Sequence, residues 1–313
     1  MPFRRSAAVD STRGNAARPF PSTPMRRRIH LSGPSSNPWL PKVFLRFEEC
    51  RDTSTETARI VTDAGPAYIK AMGNRQGPHA LACEWVGTQL AHWFGLPTFD
   101  FALMNIDAAV DEIPLFRSGK AASGPAFVTR AVAGHKWGGS EGELDALLNP
   151  EAISHLVVFD TWTRNCDRHP PDLTVRKPNR DNVFLEDFGD REAGRCRLVA
   201  MDHGCCFNWG RDLSPRIAGL DTIRDSGLYG LFPAFVPRVR QADVESAISR
   251  LRQVDEGFVA DIVASIPSAW EVNRKSRDAL RKLICQRAAF VADTILGVIS
   301  KNCWPGQFFD TRL

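Results

Sequence analysis

The sequence predicts an α+β protein of two lobes: a small antiparallel β-sheet lobe carrying one helix, followed by a mainly helical lobe. Three observations predict it. Residues 42–70 divide into short alternating or β-branched runs separated by turn residues. Residues 79–95 then form a long apolar stretch with helical spacing. Beyond residue 133 the patterns are helical, apart from two apolar runs near 183–201 that read as a hairpin. At 313 residues the chain is long enough for one large domain or for two lobes with a cleft between them.

In order, "KVFLRF" (42–47) is apolar and aromatic, and "TARIVT" (57–62) is β-branched and alternating. Asp63–Pro66 reads as a turn, and "AYIK" (67–70) as a third strand. "GNRQGP" (73–78) is a loop. "HALACEWVGTQLAHWFG" (79–95) is a helix with Leu81, Trp85, Leu90 and Phe94 near one face and Gly95 as its stop. "FDFALMNI" (99–106) and "PAFVTRAV" (125–132) add two strands, and "GHKWGGS" (134–140) is a glycine-rich break. Asn149 is placed to cap the next helix, with Pro150 in its first turn and Ile153, Leu156, Val157 and Trp162 continuing it to about Arg164. "VFLE" (183–186) and "RLVAM" (197–201) form the hairpin. Helical patterns near Ala242–Val254, Gly257–Ser265 and Arg277–Ile299 complete the chain. The expected divisions are a leader (1–41), a β-rich lobe (42–132) and a helical lobe (133–313).

Charge is uneven. The formal net charge is +4, yet residues 1–42 hold seven Arg and one Lys against Asp10 alone, which leaves the remainder near −3. The leader also carries seven of the 21 prolines and a Ser-rich patch, a composition that stays disordered by itself. Its Arg26–Arg28 cluster is the one feature that suits nucleic acid or an acidic surface. No apolar run approaches the ~18–20 residues of a spanning helix, so no membrane partner is expected. Eight cysteines without a CxxC pair suit reduced thiols and a cytoplasmic setting.

The chemistry concentrates between Phe159 and Phe207: "FDTWTRNCDRHPPD", then "NRDNVFLE", then "CRLVAMDHGCCF". Asp167 follows a helix, Asn182 precedes an apolar strand, and Asp202 ends another with Gly204 two residues on. The hairpin brings Asn182 and Asp202 toward one end of its sheet. Phosphoryl transfer uses such a set, with one carboxylate to orient the attacking hydroxyl and an amide and second carboxylate to hold Mg²⁺ on the nucleotide phosphates. Asp187-Phe188-Gly189 spells a kinase metal-binding tripeptide but lies only five residues after Asn182, too close for a strand and its return. Asp187 is therefore read as the hairpin tip. A competing reading gathers Cys166, His169, His203 and Cys205 around zinc.

These segments, with "YIKAMGNRQGPHALACEWVGTQLAHWFGLPTFDFAL" (68–103), resemble the HipA-like kinase family over roughly residues 43–300. The resemblance implies a bilobal protein-kinase-like fold, related to the phosphoinositide-kinase group, with ATP and Mg²⁺ as ligands. It implies that Asp167 is the catalytic base, with Asn165 and Arg168 flanking it to order the loop or contact the transferred phosphoryl group. Asn182 and Asp202 would hold Mg²⁺. Lys70 would reach the phosphates and Glu84 would hold Lys70. Phe127, Val128, Thr129, Arg130 and Ala131 would line the adenine pocket, their backbone groups meeting the base edge. Thr53, Ser54 and Thr55 would cover the phosphates. The family spacing puts its metal-binding Asn five residues after the base, where this chain has Asp172, so Asp172 stands as the alternative to Asn182. The expected acceptor is a protein Ser or Thr, the chain itself included. A small-molecule or lipid kinase and a non-catalytic nucleotide-binding scaffold are the alternatives. The region ahead of Lys42 is not expected to form a folded domain like the extra amino-terminal subdomain of the toxin HipA, so toxin function and a DNA-binding antitoxin partner do not follow from the resemblance.

Overall fold

The computed structural model describes residues 39–187 and 195–305. Most of the basic leader, and Phe188 and Gly189 of the decoy tripeptide, lie outside the described residues. Three strands open the body: β1 (Phe44–Cys50), β2 (Ala58–Thr62) and β3 (Gly65–Lys70). Helix α1 (Pro78–Phe94) follows, then β4 (Phe101–Ile106), a two-residue pair β5 (Pro114–Leu115) and β6 (Gly119–Lys120), and β7 (Gly124–Arg130). These form an antiparallel five-stranded sheet of order β1-β2-β3-β7-β4. Gly65 opens β3 at φ 100°, a conformation that favours glycine, and the Thr62 hydroxyl closes this turn on the Gly65 carbonyl at 2.8 Å.

The predicted break at 134–140 instead contains strand β8 (Gly134–Lys136) and leads into α2 (Glu141–Asp145), opened by a Ser140/Glu143 capping box. Helix α3 (Glu151–Thr163) precedes the hairpin of β9 (Val183–Asp187) and β10 (Cys196–Ala200), and β8 adds to β9. Asn149 does not cap α3. Its side-chain amide instead brackets β10, accepting from Leu198 N (2.9 Å) and donating to Leu198 O (3.0 Å). The chain ends in α4 (Leu220–Ile223), α5 (Gln241–Leu251), α6 (Glu256–Ala264) and the 30-residue α7 (Arg274–Cys303). By length and composition α7 could cross a membrane, but its apolar side is buried and packs on α3, α5 and α6.

Helix α1 positions the site. One apolar face was expected, but Ala80–Glu84, Val86–Ala91 and Phe94 are all buried. It lies in the main core, touching β7 on one side and α3, α5 and α6 on others. Burial of side chains such as Leu81, Val86 and Leu90 contributes ~1.5–3 kcal/mol each. Gly95 ends the helix in the left-handed conformation (φ 92°), as its position predicted.

Candidate active site

Helix α3 delivers Asp167. Its last turn stops at Arg164 in the left-handed region (φ 54°), and the Asn165 N–H returns to the Asp160 carbonyl at 2.9 Å. The Asn165 side chain accepts from the Asp167 N–H at 3.2 Å, which fixes the acid's backbone. Arg168 is fully buried and bidentate on Asp160 (2.7 and 2.9 Å). Its remaining nitrogen donates to the Asn182 carbonyl (2.9 Å) and to the Met201 carbonyl. One guanidinium thus ties the Asp167 loop to both strand ends that carry Asn182 and Asp202. Of its two expected roles, ordering the loop fits. Contact with a phosphoryl group does not, since every nitrogen is enclosed and committed.

The hairpin register places Ala200 opposite Val183, so Asn182 and Met201 face each other at the same end. The Asn182 amide nitrogen donates to Asp167 Oδ2 at 2.5 Å. Asp202 adopts φ 58°, a left-handed conformation costing a non-glycine residue on the order of 1–2 kcal/mol. Strain of this kind concentrates at functional sites. Across from it, Lys70 Nζ lies 2.7 Å from Glu84 Oε2 and 3.1 Å from Asp202 Oδ1. Burial opposes the lysine's charge, but Asp202 and Glu84 outweigh it and hold Lys70 above its ordinary pKa. Burial would likewise raise Asp202, but Lys70 holds it below its usual range. The His203 N–H also donates to Glu84 Oε2 at 3.1 Å, fastening α1 to the turn after β10.

The donor set suits a small divalent cation. Asn182 Oδ1 accepts one bond, from Asn179 at 3.2 Å, and an amide oxygen has a second lone pair. The Asp202 side chain is 26% exposed, against 12% for Lys70 and 4% for Glu84, so it retains open oxygen surface. Two protein oxygens are what Mg²⁺ takes when phosphates and water complete its shell. Asp172 does not join them. It is exposed, and its carboxylate closes a local turn on Thr174 at 2.7 and 2.9 Å.

Other expected positions differ. The ladder consumes the backbone of Phe127–Arg130, because β7 pairs with β3 on one edge and β4 on the other. The Arg130 and Ala131 N–H groups bond Asp100 O (2.8 Å) and Pro66 O (3.0 Å). Those paired backbone groups are therefore already committed within the protein and are not open to a base edge. In the β1–β2 loop Ser54 is exposed, but Thr55 is buried with its hydroxyl on Thr57, and Thr53 Oγ1 accepts from Thr57 N at 3.0 Å. The loop's anchor was missed. Buried Glu56 accepts from Arg75 N, Arg117 N, Ser118 N and Ser118 Oγ. No local pattern marks it, since its partners lie up to 62 residues away.

The zinc reading fails. Cys166 and Cys205 do meet, but His169 packs on Phe232 and His203 sits between Thr88 and Phe159. Among the described residues no group of three His, Cys, Asp or Glu can hold a metal. Burial pushes His203 well below its usual pKa, so it is neutral. Asp187, expected at the hairpin tip, is instead the last residue of β9 and pairs in register with Cys196.

The sequence pattern of the HipA-like kinase family matches residues 50–295. The chain belongs to that family. Its fold is similar to that of the Helicobacter pylori proinflammatory kinase CtkA, with a TM-score of 0.51 at 12% identity, covering 83% of this chain and 96% of that one. WaaP, solved in complex with acyl carrier protein, is more distant, with a TM-score of 0.31 at 14% identity over 77% and 89% of the two chains. No curated protein matches the sequence. A kinase-type phosphotransferase with a kinase-like fold is thus established for this HipA-like kinase.

Proposed function

We propose that the protein transfers the γ-phosphoryl group of Mg²⁺-ATP to a Ser or Thr hydroxyl of a protein, itself included. The observation that carries this reading is the Asp167–Asn182 hydrogen bond, tied through Arg168 to the turn that presents strained Asp202 to Lys70. Asp167 orients the acceptor hydroxyl and takes its proton. The new O–P bond forms as the bond to the β–γ bridging oxygen breaks, and ADP leaves with that electron pair. Lys70 neutralises phosphate charge, and Glu84 keeps it in place. Asn182 and Asp202 would hold Mg²⁺, which supplies further charge neutralisation on the phosphates. The eight cysteines are all free, which supports a reducing, cytoplasmic setting.

The test is Mg²⁺-ATP turnover and phosphate incorporation, followed by mass spectrometry, for the wild type and Asp167→Asn. A positioned base contributes ~10²–10⁴-fold, so the variant is expected to lose that much while still gaining thermal stability from Mg²⁺-ATP. Equal rates would remove Asp167 from the mechanism. Stabilisation of both proteins by nucleotide without any phosphate transfer would make the chain a binding scaffold.

A further inference from the structure

The segment inserted between Asp167 and Asn182 returns a cation to the acid. Arg176 donates to Asp167 Oδ1, and its second terminal nitrogen lies 3.6 Å from Cys166 Sγ. Since Asn182 already occupies Oδ2, both carboxylate oxygens are engaged. Each oxygen keeps a further lone pair for an acceptor hydroxyl, and of the two partners Asn182 is buried whereas Arg176 lies on an exposed loop.

Other cations in and around the site are committed. Arg168 is enclosed with every nitrogen bonded. Lys70 is held by Glu84 and Asp202. Arg164 pairs with Asp225 at 2.8 Å and lies over Trp209. Arg176 differs in being 34% exposed on a loop whose neighbours Leu173, Thr174, Val175, Lys177 and Pro178 are all exposed. Both ends of that loop are fixed, by the Asp172–Thr174 turn and by Asn179 N on Arg168 O at 2.8 Å. The side chain can therefore swing while its base stays in position.

Phosphoryl transfer needs positive charge on the departing group, and a planar guanidinium binds phosphate oxygens in a bidentate fork. We infer that Arg176 is a catalytic residue that leaves Asp167 Oδ1 for the γ-phosphoryl oxygens when ATP binds. The move lifts the cation off the base and stabilises the group in transfer. This inference rests on the phosphotransferase reading above.

The experiment compares binding of ADP and of a non-hydrolysable ATP analogue, each with Mg²⁺, to the full chain and to Arg176→Gln, Arg176→Lys and Lys177→Gln. Arg176→Gln is expected to bind the ATP analogue ~10-fold or more weakly with ADP affinity unchanged, and to lose on the order of 10²–10³-fold in turnover. Arg176→Lys should recover part of the ATP preference. Lys177→Gln removes the same charge from the same loop and should behave as wild type. Retained ADP binding reports that each variant is folded. If Arg176→Gln keeps the wild-type ratio of ATP-analogue to ADP affinity, Arg176 does not touch the γ-phosphoryl group and only this inference falls. If the wild type binds neither nucleotide, the phosphotransferase reading falls with it.

Discussion

Gly87 illustrates how a single atom can govern this site. It lies mid-helix, where glycine is otherwise unfavourable. A Cβ there would lie 2.5 Å from His203 Cβ, so α1 and the turn carrying Asp202 would have to separate. Gly87→Ala is expected to destabilise by ~1–3 kcal/mol and to lower turnover with it, read by denaturant unfolding and ATP assay. Gly297 in α7 is the control, because a Cβ there meets nothing within 4 Å. Gly297→Ala should stabilise by ~0.5–1 kcal/mol. Nothing in the sequence separates these two glycines. The difference lies in what the fold brings against each.

At the scale of elements, α7 does more than close the core. Arg287 is fully buried without a carboxylate partner in its hydrogen-bond set, and it donates to the carbonyls of Thr161 and Trp162 at the end of α3 and of Thr222, Ile223 and Asp225. Burial lowers its pKa to about 10, so it remains charged at neutral pH. The Thr161 and Trp162 carbonyls are among the groups a helix end leaves unpaired, and they lie directly before the Asp167 loop. Arg287→Met should cost ~3 kcal/mol or more by leaving buried carbonyls unsatisfied, measured as a lower denaturation midpoint. Elements with strong periodicity were legible: β1–β4, β7, the β9–β10 hairpin, α1, α3 and α5–α7. Strands β5, β6 and β8 and helices α2 and α4 were not. They span two to five residues and are largely exposed, so they carry no hydrophobic period to read.

For the molecule as a whole, burial of neutral histidines sets a pH limit. His155, His169 and His203 are each held below their usual pKa by burial; around His155, Asp243 and Glu151 offset this in part. Below about pH 6.5 the unfolded chain therefore binds protons that the folded chain refuses. This stability is fully present above pH 6.5 and is lost as the pH falls. The thermal midpoint should drop between pH 7.5 and 5.5, and a flat profile over that range would contradict the burial of these imidazoles.

Local chemistry in the sequence determined the strand and helix periods, the helix stop at Gly95, and the residue types a phosphotransferase needs at Asp167, Asn182 and Asp202, while Lys70 and Glu84 entered through the family resemblance. Each of those signals extends over a few neighbouring residues. Tertiary structure alone decided that Asn182 rather than Asp172 meets the acid, that Arg168 is buried as a tie between strand ends, and that Glu56 fastens the β1–β2 loop. It also decided that Arg176 covers Asp167. These depend on which donors and acceptors burial forces to pair across tens of residues, and such pairings leave no period, spacing or composition along the chain.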